Sequence, residues 1–171
     1  MQMVKNSFIG IFLFWFAFLF FMPKQELYYT LEKTLLGEGI EINEESLEET
    51  IFGLTAKNVT FYFKGIKVAT AEEIDMYTLL FYSRVKVITL KVNESLRAFV
   101  PQEIGNTRFV HSMLSPSTVR IKIRGTFGLA EGRMDLKTRK VHIDFTEPKD
   151  IVSIRSQLKK DEQGWYYETS F

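Results

Sequence analysis

Residues 117–129 read "STVRIKIRGTFGL". Val119, Ile121 and Ile123 alternate with Arg120, Lys122 and Arg124, a period of two that only an extended strand turns into one apolar and one basic face. Working outward, "GRMDL" and "KVHIDF" flank "KTR" as a hairpin. In its second arm Val141, Ile143 and Phe145 face one way, and Lys140, His142 and Asp144 the other. "RVKVITLKV" (84–92) is a strand bounded by Ser83 and Asn93. "LTAKNVTFYF" (54–63) and "GIKVATAEEIDMYT" (65–78) meet at a Lys64-Gly65 turn and form a second hairpin. "IEI" near Ile40 also alternates, and "GWYYETSF" closes the chain as a last strand. Strands of about ten residues joined by tight turns favour an antiparallel meander or sandwich over an α/β arrangement. "KDIVSIRSQLKKD" (149–161) places Ile151, Ile154 and Leu158 on one stripe and predicts a helix.

The amino-terminal end has another character. Residues 8–26 read "FIGIFLFWFAFLFFMPKQE", with seven phenylalanines and no charge before Lys24. Its eleven Leu, Ile and Phe residues between Phe8 and Phe21 contribute about −3 to −6 kcal/mol on an insertion scale. Fifteen apolar residues span roughly 22 Å, and extension back to Val4, with Lys5 reaching the headgroups, recovers the thickness of a bilayer. No small-residue cleavage pattern follows, so the run reads as an uncleaved anchor over residues 4–23, with Phe8, Phe12, Trp15, Phe18 and Phe21 facing lipid. A short charged start followed by one long tail orients the body outside the cytoplasm. Residues 24–37 then form an amphipathic exit helix, in which Leu27, Leu31 and Leu35 make a stripe suited to a partner or to the chain's own body. Gly37 and Gly39 end it. Residues 40–171 make a β-rich domain. The fold expected is mainly β: one transmembrane helix, then an antiparallel sheet domain with short flanking helices.

Composition narrows the function. A formal net charge of +1 argues against nucleic acid, which requires a clustered basic surface. The absence of cysteine removes disulfides, thiolate chemistry and zinc-finger sites. His111 and His142 have no carboxylate at a ligand spacing, none of Ser112, Ser115 and Ser117 sits in a nucleophile elbow, and "GTFG" (125–128) lacks the rest of a phosphate loop. The run Glu44, Glu45, Glu48 and Glu49 lacks the order of a calcium loop. No catalytic, cofactor-binding or metal site is therefore expected. Arg120, Lys122 and Arg124 repel one another unless acids lie across from them, either Glu131 or Asp135 of this chain or an anionic headgroup or acidic partner.

The order of features resembles the type II secretion system protein N family and, more broadly, AsmA-like periplasmic β proteins. The resemblance covers about residues 20–93. It is carried by Pro23 before "LYYTLEKTLL", by Gly37 and Ile40, by Gly53, Leu54, Asn58 and Val59, and by Leu79, Leu80 and Phe81; Gly128, Gly132 and Leu136 continue it loosely. It implies an inner-membrane anchor, a periplasm-facing β domain, a place in envelope assembly or secretion machinery, and no enzyme activity. A second resemblance is to the lipopolysaccharide export protein C, with one anchor, a β jelly-roll and lipid in an apolar groove. Two functions follow as expectations. One is a structural or adaptor subunit that docks on other envelope-complex proteins through its sheet edge and exit helix. The other is a lipid-binding or lipid-transfer module. A continuous apolar groove favours the second, whereas a filled sandwich removes it.

Overall fold

A computed structural model describes residues 2–171 apart from Met22, Leu80, 97–99, Gln102, Ser153 and Gln163, with the backbone alone at Gln2, Met3 and Leu19. Leu80, part of the family-like pattern, thus lies outside the described residues. Two helices precede the sheet. Helix α1 runs Gln2–Phe21 and α2 runs Lys24–Gly37, separated at Pro23. Among the described residues no helix is long and apolar enough to cross a membrane; Leu19, inside α1, is among the positions whose side chains lie outside that description. Helix α2 stops at Gly37, where the Glu38 and Gly39 N–H groups bond the Leu35 and Leu36 carbonyls and Gly39 turns to φ 84°.

Eleven strands follow: β1 Ile40–Asn43, β2 Ser46–Thr50, β3 Gly53–Phe63, β4 Ile66–Leu79, β5 Tyr82–Val92, β6 Glu103–Ser112, β7 Ser115–Gly125, β8 Gly128–Asp135, β9 Lys140–Pro148, β10 Lys159–Lys160 and β11 Trp165–Ser170. They form one antiparallel sheet in the order β1-β3-β4-β5-β6-β7-β8-β9-β11-β10, with β2 also on β3. It is a meander, not a sandwich. Lys64 (φ 50°) and Gly65 (φ 79°) make the tight β3–β4 turn, both residues left-handed as such a hairpin requires. Strands β1 and β2 divide the outer edge of β3, pairing with residues 60–63 and 53–57.

A line of backbone irregularity crosses four strands. Asn58, Glu72, Thr89 and Gly105 fall at the same level of β3, β4, β5 and β6, in gaps of the paired register. Asn58 and Thr89 hold φ of 50° and 48°. At each strand the apolar phase changes there: 54 and 56 give way to 59 and 61, 74 and 76 to 71 and 69, 85 and 87 to 90 and 92, and 107 and 109 to 104. Ala56, Val59, Ala71, Phe61, Ile74, Val87 and Leu90 nevertheless share one cluster, so the aligned kinks keep both halves of each strand apolar on the same face.

The predicted helix at 149–161 is not formed. A single 3₁₀ turn, Arg155–Gln157, and the short β10 occupy it. Ile151, Val152 and Ile154 are β-branched and lose χ1 freedom in a helix. Ile151, Ile154 and Leu158 are buried or half-buried all the same, in a cluster with Phe127, Ala130 and Phe145. Strands β2 and β6 had no clear counterpart in the sequence pattern.

Thr89 is β-branched in a left-handed conformation, a position that costs an L-residue about 1–2 kcal/mol and that Asn tolerates better. Thr89→Asn is expected to stabilise the domain by up to about 1 kcal/mol in chemical denaturation. A loss of stability of that size would show that the kink line depends on the threonine side chain.

Candidate functional site: an apolar sheet face

The registers align side chains into rows across the sheet. One row runs Leu54, Met76, Val85, Phe109, Ile121, Gly132, Ile143 and Tyr167. The next runs Ala56, Ile74, Val87, Thr107, Ile123, Ala130, Phe145 and Trp165. Apart from Thr107 and Gly132 every member is apolar or aromatic, from β3 to β11. Seven strand spacings at about 4.8 Å make a face roughly 34 Å wide. Gly132 is required in its row, because a Cβ there would meet the His142 carbonyl oxygen and come within 2.8 Å of the Ile143 Cα.

Among the described residues two covers lie over this face, one from each end. At the β3 end α2 lies over it. Tyr28 is buried, Leu35 packs on the Ile42–Ala56–Val59–Ala71 cluster, and Leu27 and Leu31 line a cavity of about 210 Å³ with Phe52, Leu54 and Met76. At the β9–β11 end Ile151, Ile154 and Leu158 fold over the sheet. A second apolar cavity, about 240 Å³, lies there between Pro101, Ile104, Ile123, Phe145, Leu158 and Tyr167. Between the two covers β5 is half-buried, at Val85 and at Val87 and Leu90 on the margin of the first cluster, while Thr107 and Ile121 on the adjoining β6 and β7 are buried. No second layer of the described chain closes the middle.

The opposite face is charged. Cross-strand rows place Lys86, Arg108 and Lys122 side by side, next to Glu131 and Asp144, and Arg120 beside Arg133. Of the three expected basic contacts, Lys122 is paired with Glu131 at 2.8 Å, as the intramolecular alternative required. Arg120 lies opposite Arg133 and Arg124 opposite Leu129, and both are exposed. Asp135 does not reach the row. It accepts the N–H groups of Lys137 and Thr138, and the Thr138 bond chiefly holds its carboxyl below the usual range. Arg84 bonds Asp75 at 2.9 Å and lies over the Tyr77 ring.

The anchor residues Phe8, Phe12, Phe18 and Phe21 are exposed on α1, and Trp15 is half-buried. The exit stripe divides: Leu35 turns onto the sheet, while Leu27 and Leu31 stay 48% and 51% exposed at the cavity mouth. The acidic run works in pairs, which its order did not reveal. Glu48 binds Lys57 at 2.6 Å and raises the ammonium pKa. Glu45 accepts from Asn58, Glu49 accepts the Gln25 N–H, and Glu44 accepts the Tyr28 hydroxyl at 3.1 Å. Burial, and then the Glu44 charge, push the Tyr28 phenol well above its usual value. His111 lies 3.0 Å from the Pro116 carbonyl, and His142 stacks on Tyr166 and lies 2.9 Å from Asp144. Among the described residues no three His, Cys, Asp or Glu side chains converge as metal ligands. No family model, curated protein or solved structure matches the chain.

Glu32 on α2 has its carboxyl raised, first by burial and then by Glu44 and Glu41. A raised acid favours folding while protonated and loses that contribution as pH rises through its folded value. Glu32→Gln is therefore expected to raise the melting temperature at neutral pH, with the gap closing as the solution is acidified below the ordinary glutamate range. A gap independent of pH would place the effect in packing.

Proposed function

We propose that this chain is a membrane-anchored lipid-binding module of the bacterial envelope, with α1 in the inner membrane and the sheet on the periplasmic side. The observation that carries this is the apolar face: one sheet, apolar in two rows from β3 to β11 except at Thr107 and Gly132, covered near both ends and half-exposed at β5 between them. The acyl chains of one leaflet reach about 15 Å, half the roughly 30 Å core, so a face about 34 Å wide accommodates them lying flat.

Helix α1 supports the anchor. Seven of its phenylalanines are exposed. Burying each is worth about 1.5–3 kcal/mol, together roughly 10–20 kcal/mol, as much as the whole stability of an ordinary domain. A lipid environment satisfies such a helix on all sides. Its twenty residues reach about 30 Å, the thickness of the hydrocarbon core, when Leu19 is counted from the sequence. The family resemblance at Pro23, Gly53 and Asn58 supports the envelope assignment.

The half-exposed Leu27 and Leu31 favour a second reading, in which α2 docks on another envelope protein. Replacing Leu27, Leu31 and Leu35 with Ser is expected to release co-purifying proteins from native membranes in that case. Unchanged co-purification with a less stable domain would assign the stripe to the sheet's own cover.

For the lipid reading, chain purified in mild detergent is expected to retain phospholipid detectable by native mass spectrometry. Val85→Asp, in the middle of the open face, is expected to lower retention about tenfold or more, since each ~1.4 kcal/mol is a factor of ten and burying a carboxylate costs several times that. The far-ultraviolet circular dichroism should be unchanged. A lipid-free wild-type chain, or full retention by a folded V85D chain, would remove the proposal.

A further inference from the structure

The up-and-down meander sends every second turn to the same edge. The β2–β3, β4–β5, β6–β7 and β8–β9 turns lie there, with the end of β11. Each carries exposed apolar side chains: Ile51, Leu79 and Phe81, Met113 and Leu114, Leu136, and finally Phe171. Leu114 is 91% exposed. Backbone bonds join these turns to their neighbours. Thr78 donates to the Phe52 carbonyl at 2.7 Å, Met113 to Phe81 at 2.9 Å, Leu136 to Ser117 at 2.8 Å and Phe171 to Arg139 at 3.1 Å. The apolar tips are thus held in line along one rim. The opposite edge is mixed. Lys64, Glu94, Thr126, Lys149 and Asp150 lie at its turns, with Phe63, Ile66 and Val152 exposed among them.

The same rim touches α1. Phe16 packs edge-on against Phe52 at 6.4 Å, Phe52 lies 6.0 Å from Tyr77, and Tyr77 lies 6.4 Å from Tyr82. Phe16 is five residues before the end of α1, about 8 Å of helix. A helix lying in lipid would therefore bring the rim to the depth where aromatic side chains favour the interface. Lys137, Arg139 and Lys140, all exposed, sit beside Leu136 on this rim. Apolar tips flanked by cations match an anionic bilayer surface.

We propose that this rim is a second membrane contact: the turns carrying Ile51 and Phe52, Leu79, Phe81 and Tyr82, Met113 and Leu114, and residues 136–140 dip into the outer leaflet of the bilayer that holds α1, so that the apolar face of the sheet opens onto lipid. The proposal rests on the membrane reading of α1. The rim would then act as the port through which an acyl chain passes from leaflet to sheet without crossing water.

The chain contains no cysteine, so single-cysteine variants of the full chain can carry an environment-sensitive fluorophore. Leu114→Cys reports the rim, Thr126→Cys the opposite edge and Phe12→Cys the anchor. Each is reconstituted into phosphatidylethanolamine–phosphatidylglycerol vesicles containing brominated lipid. Quenching is expected at L114C and F12C and not at T126C. Quenching at F12C without L114C would overturn the rim contact and leave the anchor standing. Equal quenching at L114C and T126C would also overturn it, since no edge would then be preferred. No quenching at any of the three would overturn both the anchor and the rim.

Discussion

The antiparallel ladder holds this domain together, and most of what is unusual about the molecule follows from its standing alone. Each strand from β3 to β9 is bonded on both sides, and among the described residues there is no second sheet to press against. Individual backbone bonds contribute only about 0.5–1.5 kcal/mol net. A sheet ordinarily adds to them the burial of one whole face. Here that burial is divided between two separate clusters, one around Val59 under α2 and one around Phe127 and Ala130 under the 151–158 segment. Strand β5 has the apolar composition of a core and the half-exposure of a surface, although Thr107 and Ile121 on the strands beside it are buried.

The aligned kinks at Asn58, Glu72, Thr89 and Gly105 show how strictly the face is kept apolar. A strand with uninterrupted alternation would turn half of its apolar residues to the charged side beyond residue 58 or 89. Four neighbouring strands instead change phase at one level, and two accept left-handed non-glycine residues there. The outer face is built by another rule. Arg108, Arg120 and Arg124 crowd its middle, with acids such as Asp75, Glu131 and Asp144 toward its flanks. The two faces of one sheet therefore differ in chemistry, one apolar and the other charged with both signs.

How much of this the sequence disclosed follows from the same geometry. Strand β7 and the β8–β9 hairpin were legible because their alternation from Val119 to Phe145 meets no kink, and the β3–β4 turn because Lys64-Gly65 marks it. Strand β6 was not, since Gly105 breaks the phase between Ile104 and Thr107. Strand β2, "SLEET", offers Leu47 alone as an apolar residue and is held by its pairing with β3 and by Glu48 with Lys57. At 149–161 the stripe Ile151, Ile154 and Leu158 named the residues that bury and mistook their conformation, because helix spacing and a folded-over loop can present the same three side chains. Whether the apolar face was sealed by a second layer could not be read at all. Alternation tells which side is apolar and says nothing about what lies on it.

That last question has a physical answer in the chemistry of the two possible occupants. Interior strands leave no free ladder groups, so anything lying on the middle of the face gains side-chain contact and nothing else. An extended peptide segment laid there would bring its own N–H and C=O groups onto an apolar surface with no partners, at about 1–3 kcal/mol for each group left unpaired, a cost that a helix such as α2 avoids by pairing its own backbone. An acyl chain brings only methylenes, each worth about 0.8 kcal/mol on leaving water. In the two rows, from Leu54 to Tyr167 and from Ala56 to Trp165, the polar side-chain groups are the Thr107 and Tyr167 hydroxyls and the Trp165 N–H. The face thus discriminates by what it lacks: with few directional bonds to offer, it favours the occupant that requires none.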